Sequence, residues 1–186
     1  MKKVRSIWLV AVVWFQRFWD QVHRLIRGLP MLKQSQITAH LYVGGQYDLR
    51  GLRQLRELGI TAIINMRMHS VYQEARYVGI KYLHLPTPDN TAPRMEDLIR
   101  GASFARAEIE AGGKVYIHCR QGLGRGPTMA IAYLLSMGAT YDHAYGMVKA
   151  GRTFIRPTRV QVARLKELEA YYEREGQPKT PLVPKT

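Results

Sequence analysis

The chain has 186 residues, 46% of them hydrophobic, with a formal charge of +14 and a single cysteine. It is long enough for one domain with a proper core plus extensions. One cysteine excludes an internal disulfide and a thiolate metal cluster and fits a reducing compartment, while the charge points to acidic partners: phosphorylated substrates, anionic membrane or nucleic acid.

Residues 1–30 stand apart. Lys2, Lys3 and Arg5 precede an apolar stretch from Ile7 to Phe15; Phe18, Trp19, Val22, Leu25 and Ile26 then recur at helical spacing against Arg17, Asp20, Arg24 and Arg27. All 3 tryptophans lie here. The apolar run stops well short of the roughly 20 residues a spanning helix needs. A basic start with a short apolar core also fits a signal peptide, but no small-residue cleavage site follows. Two readings stay open: an amphipathic helix lying in a membrane surface and a helix packed on the domain, with a lean to the membrane. Met31 to Gln36 reads as a linker.

The domain, 31–175, opens with an alternating strand from Ile37 to Gly45. Leu49, Leu52, Leu55 and Leu58 predict a helix closed by Gly59, and Thr61 to Met66 a buried strand, with Arg67 at its carboxyl end. Val71 to Gly79 reads as a short helix and Lys81 to Leu85 as a strand leading into the proline-studded loop LPTPDNTAP, whose one acid is Asp89. Met95 to Ala111 predicts a helix stopped by Gly112 and Gly113. After the central strand and loop, helices are expected over 129–137, over 141–150 with Thr140 as cap, and over 159–175. Lys149, Arg152, Arg156, Arg159, Arg164 and Lys166 form a basic run; such runs are usually solvated, and Arg164 and Lys166 are read so. The tail, 176–186, has almost nothing to bury and is expected to be disordered.

The stretch Val115 to Thr128, VYIHCRQGLGRGPT, carries the chemistry. A loop that ends a strand and opens a helix can turn successive N–H groups inward and make an anion site at the positive end of the helix dipole. A thiol at its mouth, Cys119, should have a lowered pKa and act as a nucleophile. Arg125 adds a planar fork of donors for phosphate oxygens. An isolated cysteine is more often an inert core residue, but His118 beside it, Arg125 six residues on and Gly122 and Gly124 between are not what a core cysteine needs.

HCRQGLGR resembles the Cys-x5-Arg signature of the cysteine-dependent phosphatases, and residues from Ile37 to Tyr172 resemble the small dual-specificity branch, most of all its atypical bacterial and mitochondrial-type members. The resemblance implies an α/β fold with a central mixed, mostly parallel sheet of four to five strands flanked by helices. It implies phosphate monoester hydrolysis through a phosphocysteine, with Cys119 as nucleophile and the backbone N–H groups of Arg120, Gln121, Gly122, Leu123, Gly124 and Arg125 holding phosphate. Asp89 matches the family position of the general acid and base; its bland reading is a turn cap beside Asn90. His118 would orient the loop and support the sulfur. Gln161 would place the hydrolytic water, and Arg156 or Arg159 would meet a second anionic group. The family usually places Ser or Thr directly after the arginine. Here that position is Gly126, so either Thr128 reaches back or the second step relies on something else.

No cofactor or metal is expected. The substrate expectation is a phosphorylated protein or, in the alternative, an anionic phospholipid such as phosphatidylglycerophosphate or a phosphoinositide, with peripheral membrane association through residues 1–30. A phosphate-binding module of low turnover is a third reading. Nucleic acid is not expected, since no aromatic stacking platform is evident. The protein is expected to be cytoplasmic, with a membrane-associated fraction if residues 1–30 bind lipid.

Overall fold

The computed structural model describes residues 2–70 and 77–176. Four short strands, β1 (Leu41–Gly44), β2 (Ala62–Asn65), β3 (Lys81–His84) and β4 (Val115–His118), form one sheet in the order β1-β4-β2-β3. All three pairings are parallel, with Leu41 and Ala62 both opposite Val115 and Ala62 opposite Lys81. The expected antiparallel component reduces, among the described residues, to an isolated bridge between Gln36 and Tyr42. The first strand is shorter than the alternation suggested, because the Thr38 hydroxyl accepts from the backbone N–H of both His40 and Leu41 and turns the chain before it.

Parallel strands need crossovers, and helices supply them. Helix α2 (Leu49–Glu57) joins β1 to β2, and α3 (Met95–Glu110) precedes β4. The Asp48 carboxylate caps α2 by accepting from Arg50 and Gly51 N–H, while Gly59 ends it at φ +81°. Strand alternation splits the core in two. Leu41, Val43, Ile64, Val115 and Ile117 face one cluster, which contains Cys119 and the apolar side of α3. Tyr42, Ile63 and Tyr116 face the other, under Leu52 and Leu55 of α2.

Helix α4 (Arg125–Ser136) is buried along its whole length, packed between β4 and the helices α3, α5 (Tyr141–Gly151) and α6 (Arg159–Glu175). It starts four residues before the apolar periodicity does, so Arg125, Gly126 and Pro127 belong to its first turn, where proline's missing N–H costs nothing. Thr140 caps α5 as expected, and Thr158 with Gln161 closes a capping box on α6. The helix expected over 71–79 falls largely on residues outside those described, and so does the tail from 177.

Residues 2–27 form one continuous helix, α1. Its orientation inverts the usual rule. The polar side faces the domain: Asp20 is fully buried, the Thr153 hydroxyl donates to Gln16 Oε1 at 2.6 Å, and Arg17 donates to Gln121 Oε1 at 3.0 Å. Side chains of α2 hold its end, with Arg50 donating to the Leu25 and Ile26 carbonyls and Gln54 to that of Arg27. The apolar side, Trp14, Phe15, Phe18, Trp19, Leu25 and Ile26, faces outward, and Trp14 and Leu25 are each 69% exposed. No helix among the described residues is long and apolar enough to cross a membrane.

Candidate active site

Because every strand runs the same way, the chain segments that leave the carboxyl ends of β1, β2, β3 and β4 meet at one edge of the sheet, where open α/β sheets bind ligands. The segment after β4 carries Cys119 and the loop to Gly124. Around it lie Gln46 after β1, Met66 after β2 and the Asp89 loop after β3.

The loop's carbonyls account for its shape. The Cys119 carbonyl accepts from His118 Nδ1 at 3.4 Å and that of Arg120 from Gln46 N–H at 3.1 Å. The Gln121 carbonyl accepts from Arg152 Nη2 at 2.9 Å and the Gly122 carbonyl from Arg152 Nε at 2.8 Å. The Leu123 carbonyl accepts from Arg156 N–H at 2.6 Å, and the Gly124 carbonyl from both the N–H and the hydroxyl of Thr128. Every carbonyl from Cys119 to Gly124 is thus bound outside the loop. In a trans peptide the next residue's N–H points the opposite way, so the N–H groups of residues 120–125 are turned toward the concave side. Gly122 N–H, 3.3 Å from Cys119 Sγ, shows that direction. Gly122 itself has φ +67°, and a Cβ there would meet Gly44 backbone at 2.6 Å, so only glycine serves.

Arg125 is 6% exposed. Its Nη1 is anchored on the Thr87 carbonyl at 2.7 Å and reaches that of Met66 at 3.4 Å; Nη2 lies 3.1 Å from Asp89 Oδ1. Asp89 is 62% exposed on its side chain and also accepts from Asn90 N–H. Asn90 takes φ +62°, which turns the loop at that point. Asp89 therefore does hold its own turn, the bland reading, and it also faces the arginine fork over the cysteine. Asp89 is solvated and Arg125 stays anchored on the Thr87 carbonyl without it, so a phosphate dianion can displace the carboxylate from Arg125.

His118 does not support the sulfur by charge. Burial pushes its pKa down to about 3, and the positive charges of Arg67 and Arg125 act in the same direction, so the ring is neutral. It stacks on Tyr116, lies edge-on to Tyr47 and leaves Nε2 without a partner among the described residues. Its service to the loop is packing plus one hydrogen bond. Thr128 reaches back, as one expectation had it, but to the Gly124 carbonyl at 2.9 Å. Gly126 is not enforced by crowding: a Cβ there would sit 3.5 Å from Cys119 N and 3.7 Å from Cys119 Sγ, ordinary contact distances. Gln161 uses both amide atoms, accepting from Thr158 N–H and donating to the Thr91 carbonyl at 2.8 Å, which ties the Asp89 loop to α6.

Above the loop is a cavity of about 600 Å³ whose wall includes Cys119, Asp89, Gln161, Arg156, Arg159 and Arg17. Arg17 and Arg152 are the residues that sequence reasoning left out of the site. Arg152 stands in a basic run, the kind of sequence that is usually solvated, yet it is fully buried. The one signal available was Asp20, the only acid before Asp48, placed among the basic residues of α1.

The model of the dual specificity phosphatase catalytic domain matches residues 41–171. The chain belongs to that family. It is 30% identical over 138 residues to the mouse dual specificity protein phosphatase 1 and 30% identical over 148 residues to the human dual specificity protein phosphatase 5. These matches cover 73% and 78% of this chain but only 37% of each relative, so the chain spans little more than a third of their length. Among solved structures, Tk-PTP in its active form superposes with a TM-score of 0.69 at 29% identity, covering 75% of this chain and 99% of that one. PTPMT1 superposes with a TM-score of 0.71 at 23% identity, covering 76% and 97%, a likeness of fold. The family match begins after α1.

Proposed function

We propose that the protein hydrolyses phosphate monoesters through a phosphocysteine, in the manner of a dual-specificity phosphatase. The observation that carries this is the cradle of N–H groups from residues 120–125 around Cys119, closed by the Arg125 fork. The cysteine sulfur attacks phosphorus as the bond from phosphorus to the leaving oxygen breaks, and Asp89 delivers a proton to that oxygen. The cradle and Arg125 hold the three equatorial oxygens as charge shifts among them. Water then attacks the phosphocysteine, gives its proton to Asp89, and phosphate leaves with the sulfur restored. Cys119→Ser is expected to lose all measurable turnover of an aryl phosphate while still binding inorganic phosphate; substantial hydrolysis by that variant would sink the mechanism.

For the substrate, phosphotyrosine and phosphoserine or phosphothreonine proteins are one reading, supported by the family. The outward apolar side of α1 favours a second, an anionic phospholipid at a membrane surface. Trp14, Phe15, Phe18 and Trp19 are exposed on the same helix that sends Arg17 into the cavity wall. Up to Tyr47 the chain carries Lys2, Lys3, Arg5, Arg17, Arg24, Arg27 and Lys33 against Asp20 alone. Aromatic groups that enter the acyl boundary and flanking cations that meet anionic headgroups would seat the cavity mouth on its substrate. The full chain and a variant with Trp14, Phe15, Phe18 and Trp19 changed to Ser are compared on phosphatidylglycerophosphate vesicles and on a phosphotyrosine peptide. A vesicle preference that disappears in the variant supports the lipid reading; equal peptide and vesicle rates, untouched by the changes, remove it.

A further inference from the structure

The two carbonyls at the crown of the loop, those of Gln121 and Gly122, are held by one guanidinium. Arg152 donates Nε to Gly122 and Nη2 to Gln121, and Nη1 to the Gln34 carbonyl at 3.1 Å. It also lies 4.4 Å from the Phe154 ring centroid. By drawing these two carbonyls outward it turns the N–H groups of Gly122 and Leu123 inward. A fully buried arginine needs a counter-charge, and Asp20 Oδ2, at 2.9 Å from Nη2, supplies it; both side chains are 0% exposed. The other Asp20 oxygen accepts from Met31 N–H at 3.1 Å, which fixes the carboxylate where α1 gives way to the linker.

We propose that Asp20 is a positioning residue of the phosphate site: acting through Arg152, it holds the crown of the loop in the conformation that binds phosphate. Removing its charge leaves Arg152 buried without a counter-ion. The guanidinium then tilts toward solvent, the two peptides lose their outer partners, and two of the six inward donors lose their aim. α1 lies before the family's matched region, so the family pattern does not contain this residue. The proposal rests on the phosphate-site reading above.

The test uses the full chain with Asp20→Asn, Asp20→Glu and Gln16→Ala, the last removing the neighbouring α1 contact to Thr153 but none to the loop. Two quantities are read at low temperature: protection of Cys119 from iodoacetamide by inorganic phosphate, and kcat with KM for an aryl phosphate. Asp20→Asn is expected to weaken phosphate protection and to lower kcat by about tenfold each, since small misplacement of preorganised donors is costly. Asp20→Glu, which keeps the charge but shifts it, should fall between Asn and wild type; Gln16→Ala should match wild type. Unchanged phosphate protection and kcat in Asp20→Asn overturns the proposal, as does an equal loss in Gln16→Ala. If Asp20→Asn does not fold, wild-type behaviour of Asp20→Glu overturns it. A wild-type protein that is protected by phosphate yet turns over no ester sinks the hydrolytic reading alone, and the phosphate protection of the variants still decides the role of Asp20.

Discussion

Two arginine–carboxylate pairs flank the loop, and they are built for opposite ends. Arg125 meets Asp89, whose side chain is 62% exposed, on a turn that also uses the carboxylate locally. Arg152 meets Asp20 with both partners at 0% exposure, its three nitrogens also donate to the carbonyls of Gly122, Gln34 and Gln121, and its Cζ lies over the Phe154 ring. In the first pair only the carboxylate is solvated, and Arg125 keeps the Thr87 carbonyl without it, so Asp89 can leave its arginine at little cost. The second sits where separating the charges is expensive, so it stays closed and sets geometry. The contrast teaches that an ion pair's role follows from its solvation as much as from its distance, which differs here by only 0.2 Å (3.1 against 2.9 Å).

The sharpest way to break the comparison is to neutralise each acid in turn. Asp89→Asn should slow hydrolysis of esters with poor leaving groups by about 10²–10⁴-fold, the usual reach of a general acid. Its melting temperature should hardly move, because the acid is exposed, the amide can still accept from Arg125, and Arg125 keeps its bond to the Thr87 carbonyl. An equal loss on activated aryl phosphates would count against the acid role. Asp20→Asn should show the reverse balance, a smaller kinetic loss with a clear fall in melting temperature, since breaking a buried pair typically costs about 3–5 kcal/mol. Matching stability losses in the two variants would erase the distinction.

The smallest expected effect concerns Gly126. Its position accepts a Cβ at ordinary contact distance from the Cys119 sulfur, and Thr128 is already committed to the Gly124 carbonyl. Gly126→Ser should therefore raise the rate of phosphocysteine hydrolysis by a few-fold, on the order of one added hydrogen bond to the leaving sulfur, with the first step unchanged. Burst kinetics on an aryl phosphate separate the two steps. A slower second step would show that the glycine serves this loop as it stands.

How far the site could be read beforehand depended on sequence distance. His118, Cys119 and Arg125 lie on one turn, so their spacing alone implied nucleophile and clamp together. Asp89 came from family position rather than from its own surroundings. For His118 the neutral ring was not legible, because neighbourhood in sequence does not reveal burial, and burial is what keeps it uncharged. For α1 the helical periodicity was legible, with one apolar and one polar side. Which side faced the protein was not, since amphipathicity is symmetric until a partner surface is present.

The sequence by itself determined that a sulfur, an arginine and a row of glycine-spaced N–H groups share one turn, because strand, loop and helix are contiguous and their local geometry follows from chain stereochemistry. Only the tertiary structure decided what holds that row in place. Asp20 and Arg152 are 132 residues apart, and no local pattern pairs them. Burial selects the partnership, because a guanidinium sealed from water must find a carboxylate, and among the described residues the fold brings Asp20 alone to it.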